Sequence, residues 1–119
     1  PALDDLRSLA PGELASVERF RVDHQEWGSV AWLESVDLGN VDDIAAAVVI
    51  AHGRIFVHSP GLQRRAHVTL NAIRVPSNST AEKLQASLGN VLRKSFASVS
   101  DITYNAELEE VRFTVRAWV

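Results

Sequence analysis

Cysteine is absent from this chain of 119 residues, which excludes disulfide bonds and thiolate metal sites. The absence is consistent with an intracellular compartment. Long apolar runs are also missing: the longest, residues 44–51, is far too short to span a membrane. The N-terminal sequence PALDDLRSLA has no basic stretch followed by an apolar one, so it lacks the layout of a secretory signal.

Basic charge is also scarce. The chain has 12 Lys and Arg against 15 Asp and Glu, a net charge of −3. Because nucleic-acid binders obtain much of their affinity from Lys and Arg at phosphates, this balance argues against a dedicated nucleic-acid-binding protein, although a local basic patch could still exist. Apolar residues make up 46% and charged residues 23%, as in globular proteins. The length and the lack of repeats predict a single domain, residues 1–119.

The apolar pattern predicts an α+β fold in which an about six-stranded, mostly antiparallel sheet is flanked by two or three helices. The clearest helix is N-capped by Ser79 or Thr80 and carries Arg93 and Lys94 near its C-terminal end. Phe96 could extend it. The residues expected on its apolar face are Leu84, Leu88, Val91 and Leu92. A shorter helix is predicted over residues 1–9, and Asn40 is expected to cap a single turn through Asp42 and Asp43.

Strands are predicted where apolar and polar residues alternate or β-branched residues cluster. Residues 17–22 and the stretch after Gly28 are the first candidates, and Ala66, Val68 and Leu70 mark another strand. Two strands joined through residues 105–110 close the chain. In the last one, the apolar residues Val111, Phe113 and Val115 alternate with Arg112, Thr114 and Arg116.

The segment IAAAVVIAHGRIFVH allows two interpretations. Three consecutive alanines are compatible with a helix, whereas the two apolar runs around His52-Gly53 suit a hairpin with a two-residue turn. We favour the hairpin because the residues on both sides of the turn are mostly β-branched.

Catalytic and metal-binding motifs are not apparent. The four histidines, His24, His52, His58 and His67, show no HExxH spacing, so no metal site is predicted and the four are interpreted as turn and surface residues. The pairs Asp4-Asp5 and Asp42-Asp43 are interpreted as helix-capping residues, because neighbouring side chains on a helical turn diverge. Neither a GxSxG elbow nor a P-loop is present. No cofactor is expected.

A few residues remain as candidates for binding. Arg64 and Arg65 follow a turn and could contact phosphate, although a solvated edge or an ion pair is the commoner role for such arginines. The three tryptophans, Trp27, Trp32 and Trp118, are expected mostly in the core. Trp118 is the exception to examine, because it follows the last strand.

Several stretches, taken in order, resemble the C-terminal autoproteolytic domain of the nucleoporin-98 family. PALDDLRSL is similar to the family's Pro-x-x-Asp-Asp-Leu opening, and WGSVAWLESVDLGNVDDI to its Tyr/Phe-Gly-x-Ile segment with the following Leu-Asp-Asp-Ile. The strongest match is GLQRRAHVTLNAI, residues 61–73, which resembles Gly-Leu-Asn-x-x-Ala-x-Val-Thr-Leu-x-x-Val. Tyr104 and the FTV of residues 113–115 match the last two strands. The resemblance covers almost the whole chain.

The sequence departs from the family at the cleavage motif. The family cuts itself at His-Phe-Ser or His-Phe-Thr directly after the final strand, where the hydroxyl attacks the preceding carbonyl and the histidine assists proton transfer. Laying FTV on the family's strand puts Ala117 at the histidine, Trp118 at the phenylalanine and Val119 at the nucleophile. If the register slips by one residue, the hydroxyl would lie beyond Val119 and Trp118 would replace the histidine. The resemblance therefore implies a degenerate autoprotease with no catalytic residues, which is not an enzyme.

The resemblance also implies a role without catalysis. In the family, this domain anchors a phenylalanine-glycine-repeat region to the nuclear pore complex by docking on the β-propeller of a scaffold nucleoporin, and it binds a peptide segment of a nucleoporin beside the terminal strand. The corresponding expectation is a scaffold-binding module in nucleocytoplasmic transport, located in the nucleus at the pore, with no membrane partner. The expected partner-binding residues are Trp118, Arg116, Arg64 and Arg65, although Trp118 could instead fill its own groove. The alternatives are an active self-cleaving domain with its cut just beyond Val119, and an RNA-binding module.

Overall fold

The computed structural model describes residues 16–39 and 44–118. The helix predicted over residues 1–9, the turn capped by Asn40 with Asp42 and Asp43, and Val119 lie outside this part. The elements run in the order β1 (Arg21–His24), β2 (Gly28–Trp32), α1 (Ile44–Ala47), β3 (Val48–Ala51), β4 (Arg54–Val57), β5 (Ala66–Leu70), α2 (Ala81–Ser95), β6 (Ser98–Asn105) and β7 (Glu110–Ala117), with one 3-10 turn at Pro60–Leu62.

The predicted α+β class is confirmed, and the strands divide between two sheets. Five strands form an antiparallel sheet in the order β1-β2-β5-β7-β6, and β3 and β4 form a separate hairpin. The described part of the chain has seven strands, against the about six predicted. The predicted hairpin is present, but it packs beside the large sheet and does not join it.

The core lies on one face of the five-stranded sheet. Val30, Val68 and Phe113 are paired in register on β2, β5 and β7 and are almost fully buried. Because side chains alternate along a strand, the neighbouring residues His67 and Arg112 point to the opposite face. The hairpin and α2 cover the apolar face.

The alanine-rich segment forms a short helix and then the predicted hairpin. Its first residues form the short helix α1, which ends at Ala47, and the predicted hairpin starts at Val48. Gly53 follows His52 in the two-residue turn and has φ +70°, a conformation that glycine adopts without a steric penalty.

Helix α2 begins where it was predicted to begin, but its buried face is not the predicted one. Thr80 is the N-cap, since its hydroxyl accepts a hydrogen bond from the backbone N–H of Lys83. Leu92 is buried in the core, but Val91 is 58% exposed and its assignment to the buried face is wrong. Leu92 takes the side of α2 that meets the core, and Val91, rotated by about 100° from it, lies at the margin of that side.

The first predicted strand is displaced. Residues 17–22 were expected to form it, but β1 begins at Arg21, and Val17 forms only an isolated bridge with Val36. Val17 and Phe20 are nevertheless buried, and Phe20 stacks on Trp32 with ring centroids 5.2 Å apart. The apolar residues of this stretch therefore serve the core from an irregular backbone.

Candidate functional site

The end of β7 is the candidate site, because the positions that resemble the cleavage motif lie there. β7 is an interior strand of the sheet: Val115 pairs with Ala66 of β5 on one side and with Val99 of β6 on the other, and Ala117 pairs with Ser98. The strand is therefore paired on both sides as far as Val115, and Ala117 is held by β6 alone.

Trp118 is buried immediately after this strand. Its side chain is only 6% exposed and packs edge-on against Phe96, with ring centroids 5.4 Å apart at 87°. The indole Nε1–H donates a hydrogen bond of 2.7 Å to the carbonyl oxygen of Arg64. Trp118 was considered either as a partner-binding residue or as a residue that fills its own groove. In the structure it fills its own groove.

A second tryptophan binds the same loop. Trp32 Nε1–H donates a hydrogen bond of 2.7 Å to the carbonyl oxygen of Leu62. Residues 61–65, called here the clamp segment, thus receive one indole hydrogen bond from β2 and one from the end of β7. The sequence analysis placed Trp32 in the core and kept Trp118 as a binding candidate that could instead fill its own groove, and it predicted neither acceptor. The available signal was that a buried indole N–H needs a partner.

Backbone hydrogen bonds complete the clamp segment. Asp37 N–H donates to the carbonyl of Gly61 at 3.1 Å, and Leu33 N–H donates to that of Arg65 at 2.9 Å. The Gly61 Cα also lies so close to the preceding loop that an added Cβ would be 2.2 Å from the Asp37 carbonyl oxygen. Only glycine fits at this contact.

The three predicted arginines are all exposed at this end of the sheet. Arg64 and Arg65 directly precede Ala66, which pairs with Val115, and Arg116 follows Val115 on the next strand. Arg116 Nε–H donates a hydrogen bond of 2.8 Å to the hydroxyl of Ser100. The structure therefore brings together the residues that the sequence analysis selected, with Trp118 beneath the surface.

Glu34 is the carboxylate of this surface. Its Oε2 accepts a hydrogen bond of 2.9 Å from the Arg65 backbone N–H and lies 3.3 Å from the Arg65 guanidinium Nε. The backbone hydrogen bond from Arg65 is the main cause that holds the pKa of Glu34 below its ordinary value, and desolvation opposes it. The charges of Arg65 and Arg64 lower the pKa further.

Reactive groups occur elsewhere on the sheet. His67 Nδ1 and Thr114 Oγ1 are 2.9 Å apart on the face opposite the core, a pair created by the β5–β7 register that the sequence analysis did not predict. His52 Nε2 lies 2.8 Å from the Ala72 carbonyl oxygen.

Within residues 16–39 and 44–118, no three His, Asp or Glu side chains are grouped so that they could hold a metal ion. No helix in that part has the length and apolar character needed to cross a bilayer.

The fold resembles solved nucleoporin domains. The chain matches a structure from Chaetomium thermophilum, a threonine-to-alanine mutant of the Nup145N APD fused to Nup145C N, with TM-score 0.76, 21% identity, and coverage of 98% of this chain and 90% of that one. The C-terminal domain of NUP116 from Candida glabrata matches with TM-score 0.73, 19% identity, and coverage of 98% and 86%. A chain of the yeast Nup82-Nup159-Nup116 complex matches with TM-score 0.71, 18% identity, and coverage of 98% and 92%.

These matches define the class as the autoproteolytic-domain fold of nuclear-pore proteins. Residues 1–119 also match the family model described as Nucleoporin2, the Nup98-96 autopeptidase S59. The chain belongs to this family, and it is a nucleoporin domain of the nuclear pore complex. No curated protein matches it significantly.

The close contact at Gly61 predicts a large effect of a single methyl group. Gly61→Ala should lower the free energy of unfolding by about 2 kcal/mol or more, because the Cβ would overlap a backbone oxygen that cannot move independently. Gly89→Ala in α2 is the matched control. There the Cβ meets only the mobile Arg93 guanidinium at 3.2 Å, and alanine should stabilise the helix by up to about 1 kcal/mol. Urea unfolding of both variants measures the difference, and equal effects would contradict the proposed contact.

The hydrogen bonds of Glu34 predict that the free energy of unfolding depends on pH. Since the pKa of Glu34 is lower in the folded state, its stabilising contribution is present above the ordinary value of 4.5 and is lost as the pH falls through the folded-state pKa. Glu34→Gln keeps an oxygen acceptor for Arg65 but cannot ionise. The free energy of unfolding should therefore differ most between wild type and variant near neutral pH, and the difference should shrink in acid. A difference that stays constant with pH would refute this assignment.

Proposed function

We propose that this domain does not cleave itself and acts as an attachment module that anchors a phenylalanine-glycine-repeat nucleoporin to the pore scaffold. The proposal is supported by the end of β7, where Ala117 is followed by a buried Trp118, at the positions that the resemblance assigns to the family's histidine and phenylalanine. Val119, which stands at the nucleophile position in the sequence, has no hydroxyl.

The side chains at this end cannot supply the cleavage chemistry in either register. An N-to-O acyl shift needs a hydroxyl nucleophile and a base that accepts its proton. Ala117 offers neither group. If Trp118 stood in place of the histidine, its indole could only donate, and its single N–H is already bound to the Arg64 carbonyl.

The exposed arginines support attachment through an acidic surface. Arg64, Arg65 and Arg116 lie at one end of the sheet, and Glu34 is the acidic partner found for them among the described residues, through Arg65. Arginine at a protein interface forms bidentate bonds with carboxylates and contributes strongly to binding. The partner proposed by family resemblance is a scaffold nucleoporin with a β-propeller. The solved complex that contains Nup116, Nup82 and Nup159 is consistent with this class of partner.

The absence of self-cleavage predicts a single band on a gel. When the domain is expressed with the residues that follow Val119 in its parent protein, the purified polypeptide should remain intact during prolonged incubation, because the attacking oxygen is missing. The comparison is the double variant Ala117→His, Val119→Ser, in which the base and the nucleophile are restored. Spontaneous appearance of two fragments from the unaltered sequence would refute the proposal and favour the self-cleaving alternative.

The attachment role predicts binding to the β-propeller of a scaffold nucleoporin from the same organism. The double variant Arg64→Glu, Arg116→Glu should weaken binding by about tenfold or more, because it reverses two charges at the proposed interface. The single variants Arg64→Glu and Arg74→Glu each reverse one charge and give the matched comparison, because Arg74 lies at the opposite end of the sheet, where it pairs with Glu109. Calorimetric titration measures the affinities. Failure of the unaltered domain to bind at micromolar concentration, or equal loss in the two single variants, would count against this interface.

A further inference from the structure

Among the described residues, no strand pairs with the outer backbone edge of the β3–β4 hairpin. Its register pairs Ala51 with Arg54 across the turn, and His58 N–H donates to the Ala47 carbonyl at the other end. Hydrogen-bonded pairs alternate with non-bonded ones in an antiparallel ladder, so Ile55, between these points, directs its N–H and C=O away from β3. No other described strand pairs with β4. Ile55 therefore presents one donor and one acceptor at an open edge.

An apolar groove lies along this edge. Four consecutive residues of the hairpin, from Gly53 to Phe56, line one side of a cavity of about 400 Å³ whose other side is α2. The floor includes Leu70 and Phe113, both from the buried face of the large sheet. A strand added to β4 would consequently have the protein core on one side.

Large apolar side chains are exposed on both rims of this groove. Phe56 on β4 is 46% exposed and Val91 on α2 is 58% exposed, and they lie across the cavity from each other. Paired apolar rims around a cavity are typical of a site that receives apolar side chains.

Charge at the groove has one sign. Arg54 is the ionisable residue that lines it, and no carboxylate of the described residues lies within ion-pair distance of Arg54. β4 carries no bulge or proline that would block pairing, and at four residues it can accept only a short segment. The backbone edge, the apolar groove and Arg54 together suit an extended segment that is apolar at alternate positions and acidic at one end.

We propose that the β4 edge and this groove bind an extended peptide segment of a partner protein, which adds to the hairpin as a third strand. Its backbone pairs with the Ile55 N–H and C=O, its alternate apolar side chains enter between Phe56 and Val91, and a carboxylate meets Arg54. This site is separate from the arginine surface at the end of β7. It depends only on the hairpin and α2, so it can be tested independently of the pore-attachment role.

The test uses a synthetic peptide that alternates valine and threonine and has a glutamate at each end. Titrated into the isotopically labelled domain, it should shift the amide resonances of Ile55 and Val91. N-methylation of alternate peptide nitrogens should weaken binding by about tenfold or more, because it removes the donors that pair with β4. Replacing the glutamates with lysine should also weaken binding, and Arg54→Glu should reverse that preference.

A matched pair of variants locates the site. Val91→Glu should weaken peptide binding by about tenfold or more, because it puts a charge on the apolar rim. Leu108→Glu should leave binding unchanged, since Leu108 is similarly exposed at 60% but lies in the β6–β7 turn. Absence of resonance shifts at millimolar peptide, insensitivity to N-methylation, or equal effects of the two variants would overturn the proposal. So would a homodimer paired edge to edge through β4, detected by sedimentation and abolished by Phe56→Glu.

Discussion

The clamp segment, residues 61–65, is the constraint on which the candidate site depends. Two indole N–H groups, from Trp32 and Trp118, donate to carbonyls of this one loop, and each bond is 2.7 Å long. A buried indole that lost its acceptor would leave an unsatisfied donor, which costs about 1–3 kcal/mol. The loop therefore fixes both rings, and the rings fix the loop. The close packing of Gly61 against the Asp37 carbonyl holds the loop in the position where both indoles reach it.

The arrangement around Trp118 is compatible with the proposed attachment role. The ring packs against Phe96, and its N–H is bound to the Arg64 carbonyl. Arg64, Arg65 and Arg116 are exposed at this end of the sheet, where Arg65 contacts the Glu34 carboxylate. Arginine side chains held by a sheet suit the binding of carboxylates.

The division into two sheets has its own consequence. The five-stranded sheet places its interior strand β7 between two neighbours as far as Val115. The hairpin has only two strands, and among the described residues no strand pairs with its outer edge next to α2. The same packing that closes the core thus leaves open backbone groups beside apolar side chains, and the proposed peptide site follows from that.

Sequence patterns determined the elements with strong local signals. Alternation along residues 66–70 and 111–116, the Thr80 cap and the turn at Gly53 all depend on neighbours in the chain, and the structure has each of them. Through the family resemblance, the sequence also implies that Ala117, Trp118 and Val119 stand at the positions of the cleavage residues. Only the tertiary structure decided that Val91 is exposed, that the hairpin stands apart from the sheet, and that Trp118 binds a carbonyl 54 positions earlier in the chain. These features depend on which distant surfaces meet, and no local periodicity encodes that choice.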